Sequence, residues 1–284
     1  MLVRGLRIKI LRHLSSSIRR QPTTMMDNQL IANLSMLYTD RPMLERFSAA
    51  AEYGFSGVEI QFPYEWCAQE LKGAADNAGV RVHLINVPAG DLLQGGKGLS
   101  CYDEQQDEFR KACALALEYG KTLSVEKINV LAGNVYDDSH REACLNCYID
   151  NLRYAAELFL SEGIMLSFEA INNLDMPGYL YSRFDEMLDI YHKVAHPNAG
   201  MQYDIYHMAR MGEKIAQQIR YHGDKIAHIQ FADCPGRGAP GSGDLPLGEY
   251  FQLIAASDYT GVVSAEYKTK GNEQSDYGWL VISE

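Results

Sequence analysis

The sequence has 284 residues, of which 46% are hydrophobic and 22% charged, as expected for a globular protein with one large α/β domain or two smaller ones. Its net charge of −11 does not suit a nucleic-acid-binding protein, whose contact surface is basic, so no nucleic-acid partner is expected. No run of eighteen apolar residues is present, so neither a transmembrane helix nor a membrane partner is predicted.

The beginning of the chain differs in composition from the rest. Residues 1–26 contain no acidic residue, are rich in Arg and Ser, and carry apolar residues near helical spacing. This composition is typical of a mitochondrial transit peptide; the alternative is a spurious upstream start, with Met25 or Met26 as the true initiator. We therefore predict an N-terminal extension over residues 1–28 and one folded domain over residues 29–284. The expected location is the cytoplasm, or the mitochondrion if the extension is a real transit peptide.

From residue 29 onward, strand and helix patterns alternate along the chain. The strand candidates are rich in apolar and β-branched residues, whereas the helix candidates carry apolar residues at helical spacing. Eight strands are predicted, at residues 30–37, 55–62, 80–87, 127–133, 164–170, 199–205, 225–233 and 261–267. This alternation over ~250 residues is the signature of a (β/α)8 TIM barrel, an α/β fold whose active site lies at the C-terminal ends of the strands. A doubly wound open sheet is the alternative, but no glycine-rich phosphate-binding motif follows the first strand.

The cysteines do not form a disulfide framework. The sequence contains six of them without regular spacing, which indicates free thiols in a reducing compartment. Cys144 and Cys147 form a single C-x-x-C, a spacing found in redox sites and in half of a zinc site. Because no second pair exists and the surrounding run has a helical pattern, we interpret them as two cysteines of a helix.

The four last predicted strands each end in a residue with a carboxylate or amide oxygen. In a barrel, consecutive strands are neighbours, so these oxygens converge on one half of the rim. Oxygen ligands suit Mg²⁺ or Mn²⁺, and carboxylates buried in a barrel mouth need a compensating cation. We therefore predict a divalent metal site and no organic cofactor. The four residues are Glu169, Asp204, Gln230 and Glu266, and Ser167, Gln202, His228 and Ser264 are predicted one layer deeper on the same inward face.

This arrangement indicates a reaction. A divalent ion on the two oxygens of an α-hydroxy carbonyl acidifies the neighbouring C–H, and a flanking carboxylate can remove the proton. Two glutamates that face each other across the substrate, Glu169 and Glu266, can act in sequence, one taking a proton and the other returning one to the next carbon. The reaction would be an aldose–ketose isomerisation through an enediolate.

Three further residues are candidates for substrate binding. His207 lies three residues after Asp204 and can hydrogen-bond a substrate hydroxyl, although a surface or capping role is the alternative. Arg237, between two glycines, can bind a substrate carboxylate through its planar guanidinium; the alternative is a solvated loop charge. Lys268 lies two residues after Glu266, where it either adds positive potential or remains a surface lysine.

Several runs of the sequence resemble the hydroxypyruvate isomerases, which belong to the xylose isomerase-like barrel superfamily. They include GFSGVEIQFPYEW, EAIN, QYDIYHMARM, HIQFADCPGRGAPGSGD and SAEYK, and the resemblance extends from about residue 30 to Trp279. It implies that Glu169 and Glu266 are the catalytic pair and that Asp204 and Gln230 complete the metal shell. It also implies that Glu59 and Asn86, which end the second and third strands, face the substrate cavity; the alternative for each is a structural role at the rim.

The resemblance implies interconversion of hydroxypyruvate and 2-hydroxy-3-oxopropanoate (tartronate semialdehyde), so the expected partner is a small anionic 2-oxo or hydroxy acid. One alternative is an isomerase or epimerase of a longer 2-oxo acid or a ketose, such as 2-oxo-tetronate. A remote alternative is a metal-dependent endonuclease of the same superfamily, which would need more strand-end histidines and a basic surface. A further alternative is a non-catalytic relative that keeps the barrel for binding. Assembly into a homo-oligomer is also possible.

Overall fold

The computed structural model describes residues 29–272 and 276–280, and the predicted extension over residues 1–28 lies outside them. Within these ranges, eight parallel strands close into a barrel in sequence order, which confirms the predicted (β/α)8 TIM barrel. The strands are Leu30–Asn33 (β1), Gly57–Ile60 (β2), Arg81–Asn86 (β3), Lys127–Asn129 (β4), Met165–Glu169 (β5), Ala199–Asp204 (β6), Ile226–Phe231 (β7) and Val263–Ala265 (β8).

Each predicted strand corresponds to one strand of the barrel, but several are shorter than predicted. The first ends at Asn33 instead of residue 37, because a turn follows in which the backbone N–H of Leu37 donates to the Asn33 carbonyl at 2.9 Å. Leu34 and Leu37 are nevertheless fully buried. Their apolar character, which extended the predicted strand, therefore reflects packing of the turn and not a place in the sheet.

Helices follow the strands and cover the outside of the barrel. The helix α6 is a short one that follows β6 without a loop and lies at the rim. In the described part of the chain the α-helices are Met43–Glu52 (α1), Ala68–Ala78 (α2), Gln106–Leu123 (α3), Arg141–Leu160 (α4), Phe184–Val194 (α5), Ile205–Arg210 (α6), Ile215–His222 (α7) and Leu247–Ala255 (α8).

The helices present one apolar face to the sheet. Helix α3 buries Phe109, Ala112 and Ala116, which are spaced by three and four residues and so share one side. Burial of a side chain as large as Phe109 contributes roughly 1.5–3 kcal/mol to folding. Cys144 and Cys147 are buried free thiols on α4, which confirms that they belong to a helix.

Many buried polar side chains lie at or near the C-terminal ends of the strands, among them Asn33, Asn86 and Asn129. The predicted inward layer is buried throughout, and a second set of polar side chains lies around it. None of the helices in residues 29–272 and 276–280 is long and apolar enough to span a membrane. The polar end of the barrel is where a cavity opens.

Candidate active site

A cavity of about 230 Å³ lies at the C-terminal end of the barrel and is lined by both polar and apolar side chains. The apolar wall includes Met36, Phe62 and Ile171. Its volume is below the range usual for drug-sized ligands, so it suits a small substrate. The polar lining consists of Gln61, Asn86, Glu169, Asp175, His207, Arg237 and Glu266.

Glu169 is the last residue of β5 and is almost completely buried. One oxygen, Oε2, accepts a hydrogen bond from Nε2 of Gln202 at 2.7 Å. Burial, together with the negative charge of Asp204, raises the pKa of Glu169 from 4.5 to about 8. The carboxyl group therefore holds a proton at neutral pH unless a cation compensates its charge.

Glu266 follows β8 and is also buried. Its Oε2 accepts a hydrogen bond from Nη2 of Arg237 at 2.9 Å, while its Oε1 accepts from Nδ2 of Asn33 at 3.1 Å and from Nε2 of Gln61. Burial raises the pKa of Glu266 well above its usual value, and the Arg237 guanidinium acts against this shift. The two glutamates line the same cavity but have different hydrogen-bond partners.

Arg237 lies between Glu266 and Asp204. Its Nη2 is 2.9 Å from Glu266 Oε2 and 3.5 Å from Asp204 Oδ2, and its guanidinium stacks on the ring of Tyr206 at 5.1 Å. Burial lowers the pKa of Arg237, but the charges of Glu266 and Asp204 outweigh burial and raise it above its usual value. The guanidinium is thus a permanent cation within the site.

The loop after β7 holds Arg237 in place through Asp233. The Asp233 carboxylate is fully buried and accepts four backbone N–H groups, those of Cys234 and Leu245 on Oδ1 and those of Gly241 and Gly243 on Oδ2, all at 2.9–3.0 Å. One side chain therefore ties together a loop of twelve residues by its backbone alone. No strand pattern would have identified this contribution.

Gln230 lies in the layer below the cavity on β7. Its Nε2 donates to Oε1 of Glu59 at 2.8 Å, and its Oε1 accepts from Nε2 of Gln202 at 2.8 Å. A carboxylate can only accept, so the amino group of Gln230 must face Glu59. The amide oxygen consequently faces Gln202, on the side where Glu169 also lies.

Two predicted substrate-binding side chains are not brought to the cavity. Glu59 is fully buried one layer below and pairs with Nε2 of His228 at 2.6 Å. Burial acts to raise the pKa of Glu59, but His228 and the hydrogen bonds from Gln230 and Ser264 together outweigh burial and lower it, so Glu59 is ionised. Lys268 has an exposed side chain, and its backbone N–H donates a hydrogen bond to the carbonyl of Arg237 at 2.7 Å. Asn86 does line the cavity, and its Oδ1 has no hydrogen-bond partner in the described residues.

The prediction at β2 stopped one inward position too early. Residues two apart in a strand face the same side, and Gln61, two residues after Glu59, is the one that lines the cavity and donates to Glu266. Asn33, at the end of β1, was also missed. Both are amides at strand ends, so the signal that identified Gln230 on β7 was present on these strands as well.

His207 is buried in α6 and lines the cavity. Its Nδ1 is 2.6 Å from Nδ2 of Asn172, and its Nε2 is 3.4 Å from Oδ2 of Asp204. Burial lowers the pKa of His207 to about 4, against the opposing charge of Asp204, so the ring is neutral at physiological pH. Asn172 and its neighbour Asp175 lie in the loop after β5, where no periodicity could have singled them out.

The predicted metal ligands fit a divalent cation by their chemistry. Burial is the main cause of the raised pKa values of the Glu169 and Glu266 carboxyl groups, and the buried Oδ2 of Asp204 has no hydrogen-bond partner among the described residues. The donors are all oxygens, which suits Mg²⁺ or Mn²⁺. In residues 29–272 and 276–280, however, no three Asp, Glu, His or Cys side chains form a ready metal centre. Arg237 lies between two of the ligands, so it and a cation would compete for them.

Comparison with known proteins points to one family. The family model described as a xylose isomerase-like TIM barrel matches residues 47–280. Hydroxypyruvate isomerase from Escherichia coli (strain K12) is 38% identical over 249 residues, which cover 88% of this chain and 96% of that protein. A 2-oxo-tetronate isomerase from Cupriavidus necator is 35% identical with the same coverage. A crystal structure described as an AP endonuclease, family 2, from Brucella melitensis has a TM-score of 0.84 at 32% identity and covers 89% of this chain and 97% of its own.

From the raised pKa of Glu169 we predict that the stability of the protein without added metal depends on pH. Because its pKa rises from 4.5 to about 8 on folding, the folded state binds the proton more tightly. This stabilisation is complete below about pH 4.5 and is lost as the pH rises through about 8. In urea denaturation, the unfolding free energy of wild type should fall by an amount on the order of a few kcal/mol as the pH rises across this range. This fall should be absent in Glu169→Gln. The exposed Glu249→Gln is the control; equal pH slopes in wild type and Glu169→Gln would contradict the assignment.

Proposed function

The chain belongs to the xylose isomerase-like TIM barrel family, and we propose that it interconverts hydroxypyruvate and 2-hydroxy-3-oxopropanoate, or tartronate semialdehyde. The relatives support an isomerase of the ketose–aldose type. The observation that carries the proposal is the pair of buried glutamates, Glu169 and Glu266, in one small cavity that also contains an arginine.

In the proposed reaction, one glutamate carboxylate removes a proton from C3 of hydroxypyruvate, and the electron pair of the C–H bond forms an enediolate across C2 and C3. The other glutamate, in its acid form, delivers a proton to C2. The hydroxyl proton on O3 is lost and O2 gains one, so the product is an isomer and no oxidant is needed. Because the reaction runs both ways, each glutamate acts as base in one direction and as acid in the other.

Buried carboxylates with raised pKa values suit this role. A group that exchanges protons near neutral pH must have a pKa near the working pH, and the pKa of about 8 for Glu169 meets this condition. Burial likewise raises the pKa of Glu266. An ordinary exposed glutamate, at about 4.3, would be a much weaker base toward carbon.

Arg237 is the candidate for binding the substrate carboxylate. It lines the cavity, and its buried Nε has no hydrogen-bond partner within the described ranges. An unpartnered buried donor is costly, and a substrate oxygen would satisfy it. His207, which also lines the cavity, is proposed to bind a substrate oxygen.

We also propose that a divalent cation, Mg²⁺ or Mn²⁺, binds through Glu169, Asp204, Gln230 and Glu266. When bound, it would polarise the substrate carbonyl and lower the pKa of the neighbouring C–H. The raised pKa values of the two glutamates support a cation site. The protein's own contribution is to keep these four oxygen-bearing side chains buried at the C-terminal end of the barrel, away from bulk water.

A longer 2-oxo acid is the second candidate substrate. Two 2-oxo-tetronate isomerases, which are 35% and 33% identical to this chain, support this substrate. The hydroxypyruvate isomerase from Escherichia coli, at 38% identity, supports hydroxypyruvate. The cavity of about 230 Å³ does not separate a three-carbon from a four-carbon acid. Phosphodiester cleavage is not favoured, because the chain carries a net charge of −11 and a nucleic-acid substrate is an anion.

Replacement of either glutamate should abolish proton transfer at carbon. We expect Glu169→Gln and Glu266→Gln to lower kcat for hydroxypyruvate at least about 10²–10⁴-fold, because an amide cannot exchange the proton. The measurement is uptake of deuterium from D₂O into the substrate, followed by ¹H NMR. Glu249→Gln, on the exposed face of α8, should keep wild-type exchange. Full exchange in both site variants would reject the proposed roles.

The role of Arg237 predicts a change in substrate preference. Wild type should favour hydroxypyruvate over dihydroxyacetone, a neutral ketose of equal length, and Arg237→Gln should lose most of this preference, roughly 10–100-fold, because a charged hydrogen bond is lost. The measurement is the ratio of kcat/KM values, which cancels effects common to both substrates. Lys268→Gln is the matched control, since its side chain is exposed. An unchanged ratio in Arg237→Gln would argue against carboxylate binding.

Removal of metal ions by chelation tests whether the activity depends on the proposed cation. We expect EDTA followed by gel filtration to lower activity toward hydroxypyruvate by at least about tenfold, and Mn²⁺ or Mg²⁺ to restore it, because the substrate carbonyl loses its polarising charge. The added ion should also raise the melting temperature of wild type but not of Asp204→Asn. Undiminished activity in metal-free protein would contradict the proposed cation.

A further inference from the structure

The two nitrogens of the buried His207 ring face different kinds of partner. Nδ1 is approached by Nδ2 of Asn172 at 2.6 Å and by the backbone N–H of Asn172 at 3.5 Å. Nε2 faces Oδ2 of Asp204 at 3.4 Å, an oxygen without a hydrogen-bond partner in the described chain. The contacts therefore distinguish the two possible positions of the ring proton.

The orientation of the Asn172 amide is determined by Asp175. Oδ1 of Asn172 accepts the backbone N–H of Asp175 at 2.8 Å, and a backbone N–H cannot accept in return. Nδ2 donates to Oδ2 of Asp175 at 3.1 Å, and a carboxylate cannot donate. Rotation of the amide by 180° would break both contacts. The group that faces His207 is therefore the amino group, a donor.

Asp175 is itself held as a carboxylate. The Tyr206 hydroxyl donates to its Oδ2 at 2.7 Å, and Nη2 of Arg210 lies 3.7 Å from its Oδ1. Burial acts to raise the pKa of Asp175, but the hydrogen bonds from Tyr206 and Asn172 outweigh burial and lower it. The acceptor that orients Asn172 is thus present throughout the neutral pH range.

We propose that Asn172 is a positioning residue that fixes His207 as a neutral imidazole with its proton on Nε2, so that Nε2–H donates a hydrogen bond to a substrate oxygen. A proton on Nδ1 would point at the amino group of Asn172, donor against donor. Protonation of both ring nitrogens would create the same clash at Nδ1, so the contacts favour a neutral ring. His207 is then a hydrogen-bond donor and not a base.

The second half of this inference rests on the proposed isomerisation. Negative charge develops on a substrate oxygen when the enediolate forms, and a fixed neutral donor stabilises it without releasing its proton. Because Nδ1 is occupied by Asn172, the ring cannot switch tautomers during the reaction. The proton transfers at carbon are thereby left to the two glutamates.

The tautomer can be measured without substrate. In protein labelled with ¹⁵N-histidine and saturated with diamagnetic Mg²⁺, long-range ¹H–¹⁵N correlation at neutral pH distinguishes a protonated from an unprotonated ring nitrogen. The His207 signals are assigned by their loss in His207→Gln. We expect an unprotonated Nδ1 and a protonated Nε2. A protonated Nδ1 in the wild type would overturn the proposal, whatever any variant does.

Two variants of Asn172 and one control test the cause. Asn172→Asp places an acceptor opposite Nδ1, so the proton should appear on Nδ1, whereas Asn172→Ala should leave a mixture of tautomers. Asn173→Asp changes the charge at the neighbouring exposed residue and should leave His207 unchanged. A protonated Nε2 and unprotonated Nδ1 retained in Asn172→Asp would contradict the proposed positioning role.

Steady-state kinetics test whether the Nε2–H group of His207 contributes to the reaction. Asn172→Asp should lower kcat for hydroxypyruvate about 10²–10³-fold, the effect of losing one donor to a developing oxyanion, with a smaller change in KM. A switched tautomer with full activity would overturn the role of Nε2–H in the reaction. A wild type with the expected tautomer but no isomerase activity would instead contradict the proposed function, so the two failures are distinguishable.

Discussion

A buried carboxylate that can only accept hydrogen bonds sets the orientation of the amides beneath the cavity. Glu59 is held as an ion by His228, at 2.6 Å, and it requires a donor from Gln230. Gln230 must then turn its oxygen toward Gln202, whose amino group also donates to Glu169. The direction of each hydrogen bond follows from the one before it, starting from a residue that does not touch the cavity.

The same carboxylate acts on the opposite side through Asn33. The amino group of Asn33 donates to Glu59 at 2.8 Å and to Glu266 at 3.1 Å, so it joins the lower layer to the rim. Glu266 is also paired with Arg237, which in turn reaches Asp204. The site thus contains more acidic than basic side chains, and Arg237 already occupies the place between two of the acidic ones. Entry of a metal ion would be an exchange of one cation for another.

The barrel could be predicted because strands buried on both faces and amphipathic helices leave regular patterns, and because strand order equals spatial order in a closed parallel sheet. The same regularity identified Glu169 and Glu266 as neighbours of one cavity. The sequence pattern could not show how far each side chain lies from the cavity along the barrel axis. Neighbouring strands are staggered, with a register shift between Val58 and Glu59, so residues at similar positions near their strand ends lie at different levels of the barrel. Asn172 was not predictable because its position depends on a loop, which has no period.

The way in which Asp233 holds its loop has a consequence for protein engineering. Because the four hydrogen bonds go to backbone N–H groups, side chains of the loop can be exchanged without loss of these bonds, and Pro235, Ser242 and Asp244 are exposed. Gly241 and Gly243 are exceptions, since Gly241 has a φ of +85°, which favours glycine, and a Cβ at Gly243 would lie 2.3 Å from the carbonyl oxygen of Cys234. A library that varies Ser242 and Asp244 and keeps Asp233, Gly241 and Gly243 would therefore change the surface of the loop on an unchanged backbone.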